Sequence, residues 1–159
     1  MMSDALFALM ERKSFAQISI TEICEEAGVG RKTFYRNFDT KEDIISFRLD
    51  VLRDDYEKGL LGIPMERRLG YHLGFLKLHN EELICLYRQG LSPMVNEIFS
   101  AFLPKTMPVW SEDPIEQMYR SEYVSAGVNA VVKTWITREF QESVEDVIAL
   151  VKRARQISE

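Results

Sequence analysis

The sequence predicts an all-α protein: an N-terminal three-helix helix-turn-helix head on a larger helical bundle, about nine helices in all. Three observations lead there. The five prolines and most of the eight glycines fall between periodic segments rather than within them. Apolar residues recur at spacings of three and four, with no sustained period-two alternation. Two periodic runs open on a hydroxyl residue followed three positions later by a carboxylate, Ser19 with Glu22 and Thr40 with Asp43. That pattern is the mark of a helix start, because each side chain satisfies an orphan amide of the other's turn.

Leu6, Leu9 and Met10 place a first helix over about 3–12. Ser19 opens a second, Ile20 to Ala27, with Ile20, Ile23, Cys24 and Ala27 on its inner face. Gly28 supplies the turn, since glycine takes positive φ at little cost. A third helix is read over about 30–38. A long fourth runs from the Thr40 cap to about Lys58, with Ile45, Leu49, Leu52 and Tyr56 at helical spacing and Ile44, Phe47 and Val51 widening the stripe. The break at 59–64 is the expected joint, and the domains are expected over 1–46 (the head) and 47–159 (a dimerisation and ligand-binding body). Further helices are read at about 65–79, 81–89 and 92–103. Three prolines make 104–114 a loop, a long helix spans about 115–137, and Ser143 caps the last one, to about 156.

With 159 residues, 46% apolar and 28% charged, the chain has material for a substantial core and lies outside the disordered class. No apolar run approaches the roughly 18 residues of a membrane span. The start, Met1-Met2-Ser3-Asp4, lacks a signal-peptide pattern, so a cytoplasmic location is expected and no membrane partner. Cys24 and Cys85 sit far apart in apolar periodic stretches and read as buried free thiols. His72 and His79 lie seven apart on one helical face and read as surface or core groups rather than metal ligands. There is no phosphate-cradling glycine loop, no HExxH and no nucleophile–histidine arrangement, and the carboxylate pairs Glu25-Glu26 and Glu81-Glu82 point different ways on a helix. Neither an enzyme nor a cofactor is expected.

The net charge of −5 argues at first against a nucleic-acid partner, but the distribution argues for one. Between Gly28 and Lys41 stand Arg31, Lys32, Arg36 and Lys41 against Asp39 alone, whereas 112–146 holds eight acids against three bases. Two short helices joined through Ala27-Gly28-Val29, with small Cys24 at the crossing and Ile23, Val29 and Phe34 in the wedge, make a helix-turn-helix. The second of them then projects Arg31, Lys32, Thr33, Tyr35 and Asn37. Arg and Lys reach guanine edges or phosphates, Thr a phosphate or thymine methyl, and Tyr a phosphate.

These residues carry a resemblance. The stretch 20–44 resembles the DNA-binding head of the tetracycline-repressor (TetR/AcrR) family, most specifically in Thr33-Phe34-Tyr35-Arg36-Asn37-Phe38 followed by Thr40-Lys41-Glu42. The likeness covers roughly 5–50. A weaker one, at YVSAGVNAVVKTW from Tyr123 to Trp135, looks like the penultimate helix of a C-terminal domain common in Firmicutes members. The resemblance implies a homodimer on palindromic double-stranded DNA and repression relieved by a small-molecule inducer. It also implies phosphate contacts from Ser19, Thr33, Tyr35 and Lys41, with base contacts from Arg31, Lys32 and Asn37. Members usually carry serine at the position of Gly30 and a longer basic arm before the first helix. The alternative reading is a family-like interaction protein that pairs with another regulator or an enzyme subunit and binds DNA weakly or not at all.

Two further expectations concern the body. A ligand cavity is expected among Phe75, Leu86, Tyr87, Met94, Phe99, Phe102 and Met118, because pliable and aromatic side chains in a bundle can enclose one. A dimer interface is expected from the last two helices: Val124, Gly127, Val128, Val131 and Trp135 on one, Val144, Val147, Ile148 and Val151 on the other. Those two apolar stripes exceed what one small body was expected to bury.

Overall fold

A computed structural model describes residues 1–156, with side chains at all of these except 101–102, 105–106 and 155–156. Among the described residues there are nine α-helices and no strand. They are α1 (Met2–Met10), α2 (Ile20–Glu26), α3 (Arg31–Asn37), α4 (Lys41–Leu60), α5 (Arg68–Leu78), α6 (Asn80–Arg88), α7 (Ser92–Phe102), α8 (Pro114–Thr137) and α9 (Val144–Gln156). Tight 3₁₀ turns at Phe15–Gln17, Met65–Arg67 and Leu103–Thr106 fill connections. The all-α reading holds, with helix ends within two or three residues of the sequence expectation.

The starts form as the sequence dictates. The Ser19 hydroxyl accepts from the Glu22 amide, and the Glu22 carboxylate accepts from the Ser19 amide at 2.9 Å. Thr40 and Asp43 repeat the exchange at the head of α4, and Ser143 caps Asp146. Gly28 turns α2 into α3 with φ +64°.

Leu6, Ile23, Phe34, Ile44 and Ile45 are fully buried and form the heart of the head, where α1 packs on α2 and α4, and α2 on α3. The body packs α5 against α9 and α6 and α7 against α8. One apolar cluster runs unbroken from Leu6 to Val151. The expected domain boundary at 46/47 falls inside α4, a 20-residue helix about 30 Å long that belongs to both units. The expected joint at 59–64 merely links α4 to α5. Head and body meet elsewhere, through α4 itself and through α1 lying on α6.

Two features bind the ends of the fold together. Glu139 and Phe140 take left-handed φ of 56° and 57° between α8 and α9. This costly conformation is held because the Phe140 ring packs edge-on to Trp135 at 4.6 Å while Lys77 of α5 donates to the Phe140 carbonyl. At the end of α4, Tyr71 donates to the Tyr56 carbonyl at 3.1 Å. Gly59 leaves room for that ring, because a Cβ would meet the Tyr71 hydroxyl and push it aside.

Candidate nucleic-acid interface and cavity

Helix α3 buries Phe34 and turns most of its polar side chains outward. Arg31, Lys32, Tyr35, Arg36 and Asn37 are exposed and Thr33 is half-buried. Phe34 anchors the helix from below, stacking edge-on to Tyr35 at 5.3 Å and tilted against Phe38 at 6.0 Å. Tyr35 is 49% exposed, with its ring edge against Phe34. Among the described residues Arg31, Lys32 and Arg36 form no ion pair, whereas the neighbouring bases are neutralised: Arg12 by Glu26 and Lys13 by Glu22, each at 2.7 Å. Lys13 and the Ser19 cap together hold the Glu22 carboxyl down to about 2. The unneutralised positive charge of the head's helix pair is thus concentrated on α3, a surface that can meet phosphates and base edges.

Three expected contact residues are placed differently. Lys41 turns inward: its ammonium donates to the carbonyls of Phe15, Ala16 and Ile18 at 2.6, 3.2 and 2.9 Å, and lies 4.6 Å from the centre of the Phe15 ring. An ammonium has three protons, and all three are taken. Asn37 donates its amide to the Thr33 carbonyl at 2.7 Å, closing α3 on itself. The Ser19 hydroxyl proton goes to Glu22 at 2.8 Å. Lys41 and Ser19 thus give their protons within the head, whereas Asn37 is exposed and its bond to Thr33 uses one of its two amide protons.

Residues 3–46 match the model of bacterial regulatory proteins of the tetR family. These residues are a tetR-type helix-turn-helix head. A solved structure, the dihydroxyacetone kinase operon activator DhaS, superposes with a TM-score of 0.66 over 98% of this chain and 94% of its own, at 17% identity. At that identity the likeness shows a shared fold, and it extends beyond the head through the whole body. No curated protein sequence matches the chain.

The tetR-type head is clamped to the body by side chains that sequence reasoning missed. Gln89, at the end of α6, accepts from the Phe15 amide at 2.7 Å and donates to the Met10 carbonyl at 2.7 Å. Arg48 of α4 grips Glu82 of α6 through two bonds at 2.7 and 2.8 Å. Both links join residues at least 34 positions apart, so no local pattern announces them.

In the body the structure opens a cavity of about 860 Å³ between α4, α5, α8, α9 and the turn at Leu103–Thr106. Its apolar wall includes Ile63, Leu69, Leu103, Met107, Val128 and Ile148, and Tyr56 and His72 stand at its inner side. Of the seven residues expected to line a cavity, the six with described side chains do not line this one. Leu86 and Phe99 are buried in core, and Phe75 packs on Tyr56 and His79. Tyr87 donates to Asn96 at 2.7 Å, and Met94 packs against the core. Met118 is 54% exposed on the outside of α8, and the Phe102 side chain lies outside those described. The error has one cause: aromatic content marks where side chains pack tightly, whereas space opens where α5 begins with Arg68, Leu69 and Gly70.

The expected interface residues also divide. Val128, Trp135, Val147 and Val151 are buried within the chain, so they are not available to a second copy. Trp135 donates its indole N–H to the Glu142 carbonyl at 3.1 Å, and α9 lies against α5, where Ile148 approaches Gly70. Val124, Val131, Val144 and Ile148 are half-buried against the same core. Of the set, Gly127 alone is exposed.

Proposed function

We propose that the chain is a dimeric, ligand-responsive transcription regulator that acts as a repressor, reading a palindromic operator with the outer face of α3. The observation that carries the DNA-binding part is the surface of α3: three unpaired cations, Arg31, Lys32 and Arg36, beside an outward Tyr35 on a helix anchored by Phe34. Arg31 and Lys32 are the base readers, and Tyr35 and Thr33 bind phosphate.

The dimer reading rests on the outside of α8. Ile115, Tyr119, Tyr123, Ala126 and Ala130 recur there at spacings of four and three, all exposed, with Tyr119 and Tyr123 each at 68%. Gly127 lies beside them with open space beyond it. Leu150, 46% exposed, adds an apolar group from α9. A contiguous apolar surface of this kind marks an interaction site, and small residues at its centre suit the close approach of a twofold-related helix. Two heads about one DNA turn apart, ~34–36 Å, grip a palindrome where one offers few contacts.

The ligand reading rests on the cavity and its place in the fold. Tyr56 lines it from the far end of α4, the helix whose start carries the head. A ligand that binds one setting of α4 better than another shifts the heads. Activation is the second reading of the regulatory sign, favoured by the like-folded DhaS, which is an operon activator.

Fluorescence anisotropy with DNA from upstream of the gene tests the proposal. Tyr35→Phe should weaken specific and random DNA alike, since phosphate contacts carry no base information. Lys32→Ala should lose ~1–3 kcal/mol on the specific site only. Equal losses on both DNAs for Lys32→Ala would remove it as a base reader, and no binding by the wild type would favour the interaction-protein reading.

A further inference from the structure

Gln89 is a side chain of the body that bonds to the backbone of the head. It follows the last turn of α6 and is half-buried. Its amide oxygen accepts from the Phe15 N–H at 2.7 Å, and its amide nitrogen donates to the Met10 carbonyl at 2.7 Å and the Lys13 carbonyl at 3.4 Å. Both amide protons and the oxygen are therefore spent on the head. Met10 is the last residue of α1, where helix carbonyls run out of backbone partners, so Gln89 supplies from another helix what α1 lacks. Glu82 stands two turns earlier on the same face of α6 and holds Arg48 of α4.

These bonds land on the segment that leads into the recognition unit. Phe15 opens the turn Phe15–Gln17, which joins α1 to the Ser19 cap of α2. Lys41 holds that turn from its other side through the Phe15, Ala16 and Ile18 carbonyls. Phe15 thus gives its N–H to the body and its carbonyl to α4. Beyond the turn, α2 packs on α1 and leads through Gly28 into α3. Apolar contact between α1 and α6 is non-directional, so it holds the two together without fixing their angle. Hydrogen bonds are directional, and those of Gln89 fix the entry to α2 relative to α6.

We propose that Gln89 is a positioning residue for DNA binding: acting through Phe15, it sets the stand of the α2–α3 pair on the body, and in a dimer the distance and phase between the two recognition helices. This deepens the dimeric DNA-binding reading above and rests on it. Without Gln89 each head keeps its own core of Leu6, Ile23, Phe34 and Ile44 and still meets a half-site. What goes is the fixed relation between two heads. A palindrome senses that relation, because one added base pair moves its half-sites about 3.4 Å along the axis and turns them by about a tenth of a turn.

Two measurements on the full chain test this. In the first, the wild type selects a duplex from random-sequence DNA. Fluorescence anisotropy then compares that site, the site lengthened or shortened by one base pair at its centre, and a duplex holding one half-site. We expect the wild type to lose about tenfold or more on both respaced sites. Gln89→Leu should bind the three full sites within about threefold of one another and the half-site within about twofold of wild type. A variant that is merely less stable lowers every affinity by one factor and keeps the ratios. Gln89→Glu retains an acceptor for the Phe15 amide, should keep part of the spacing preference, and takes the place of Gln89→Leu if that variant does not fold. The second measurement uses no DNA. Pulsed electron spin resonance reads the distance between nitroxides on Glu25→Cys in α2 and Glu97→Cys in α7, both exposed, in a Cys85→Ser chain diluted with unlabelled protein. One narrow distance is expected with Gln89 and a broader distribution with Gln89→Leu, at unchanged helicity. The proposal is overturned if the spacing preference survives Gln89→Leu, if half-site binding falls as far as full-site binding, or if the distance distribution does not broaden. A broadened distribution in a protein that selects no duplex overturns it through the DNA-binding reading. An unbroadened one in a protein that binds a palindrome overturns the role of Gln89 alone.

Discussion

His72 makes the acid stability of this protein calculable. A histidine free in an unfolded chain titrates at 6.5, and in the folded chain at about 4 because burial penalises its cation. Between those values the unfolded state holds the proton and the folded state does not. Stability therefore rises with pH across this window and falls as pH drops from 6.5 toward 4. The slope is at most ~1.4 kcal/mol per pH unit, and the whole window amounts to about 3 kcal/mol. His72→Phe keeps a ring between Tyr56 and Phe99 and removes the titrating group. The variant should lose that part of the acid sensitivity, and at pH 7 it should be more stable by about 1–2 kcal/mol, because two unpaired buried nitrogens are gone.

The assay is urea unfolding of wild type and variant at pH 7, 6, 5 and 4, at one fixed protein concentration so that subunit association cancels. The difference between the two proteins isolates His72 from every carboxylate, since both proteins share those. If the two stability curves fall in parallel from pH 6.5 to 4, His72 is not held neutral by burial.

Lys41→Met should destabilise the head by about 2 kcal/mol, as three carbonyls lose a charged donor, and a change confined to DNA affinity with unaltered melting would show that its role is contact rather than structure. Gln89→Ala should cost about 1–3 kcal/mol by leaving the Phe15 amide and Met10 carbonyl unpaired; hydrogen exchange should rise first around Phe15–Gln17, and uniform exchange would deny a clamp at that point. Gly127→Leu, on the exposed side of α8, should leave helicity unchanged, give a monomer mass on sedimentation at micromolar concentration and abolish operator binding; a variant that still sediments as a dimer would move the interface off this face.

What was legible in the sequence was local. Ser19 with Glu22 and Thr40 with Asp43 announce their helices because each cap is completed within three residues, and Gly28 announces its turn because one residue carries the whole conformational demand. The head was readable for the same reason: Phe34 inward and Lys32 and Tyr35 outward follow from helical spacing alone. The body was readable as helices but not as surfaces. Val128 and Tyr123 both lie on an apolar-rich helix, and only the third dimension decides that Val128 is buried at the cavity wall while Tyr123 is 68% exposed. A stripe of valines reads as an interface in the sequence, yet Val128, Val147 and Val151 are buried, and the exposed apolar face is carried by tyrosines, alanines and a glycine that hydropathy ranks below them. Lys41 is the same lesson in charge. Its position in the motif suggested an outward cation, yet three carbonyls left by the turn at Phe15–Gln17 are a stronger local demand than solvent. His72 is the sharpest case, because its consequence comes from an absence. Nothing in the sequence states that a buried imidazole lacks a partner, so the cost of that missing bond and its pH dependence are read from the structure alone.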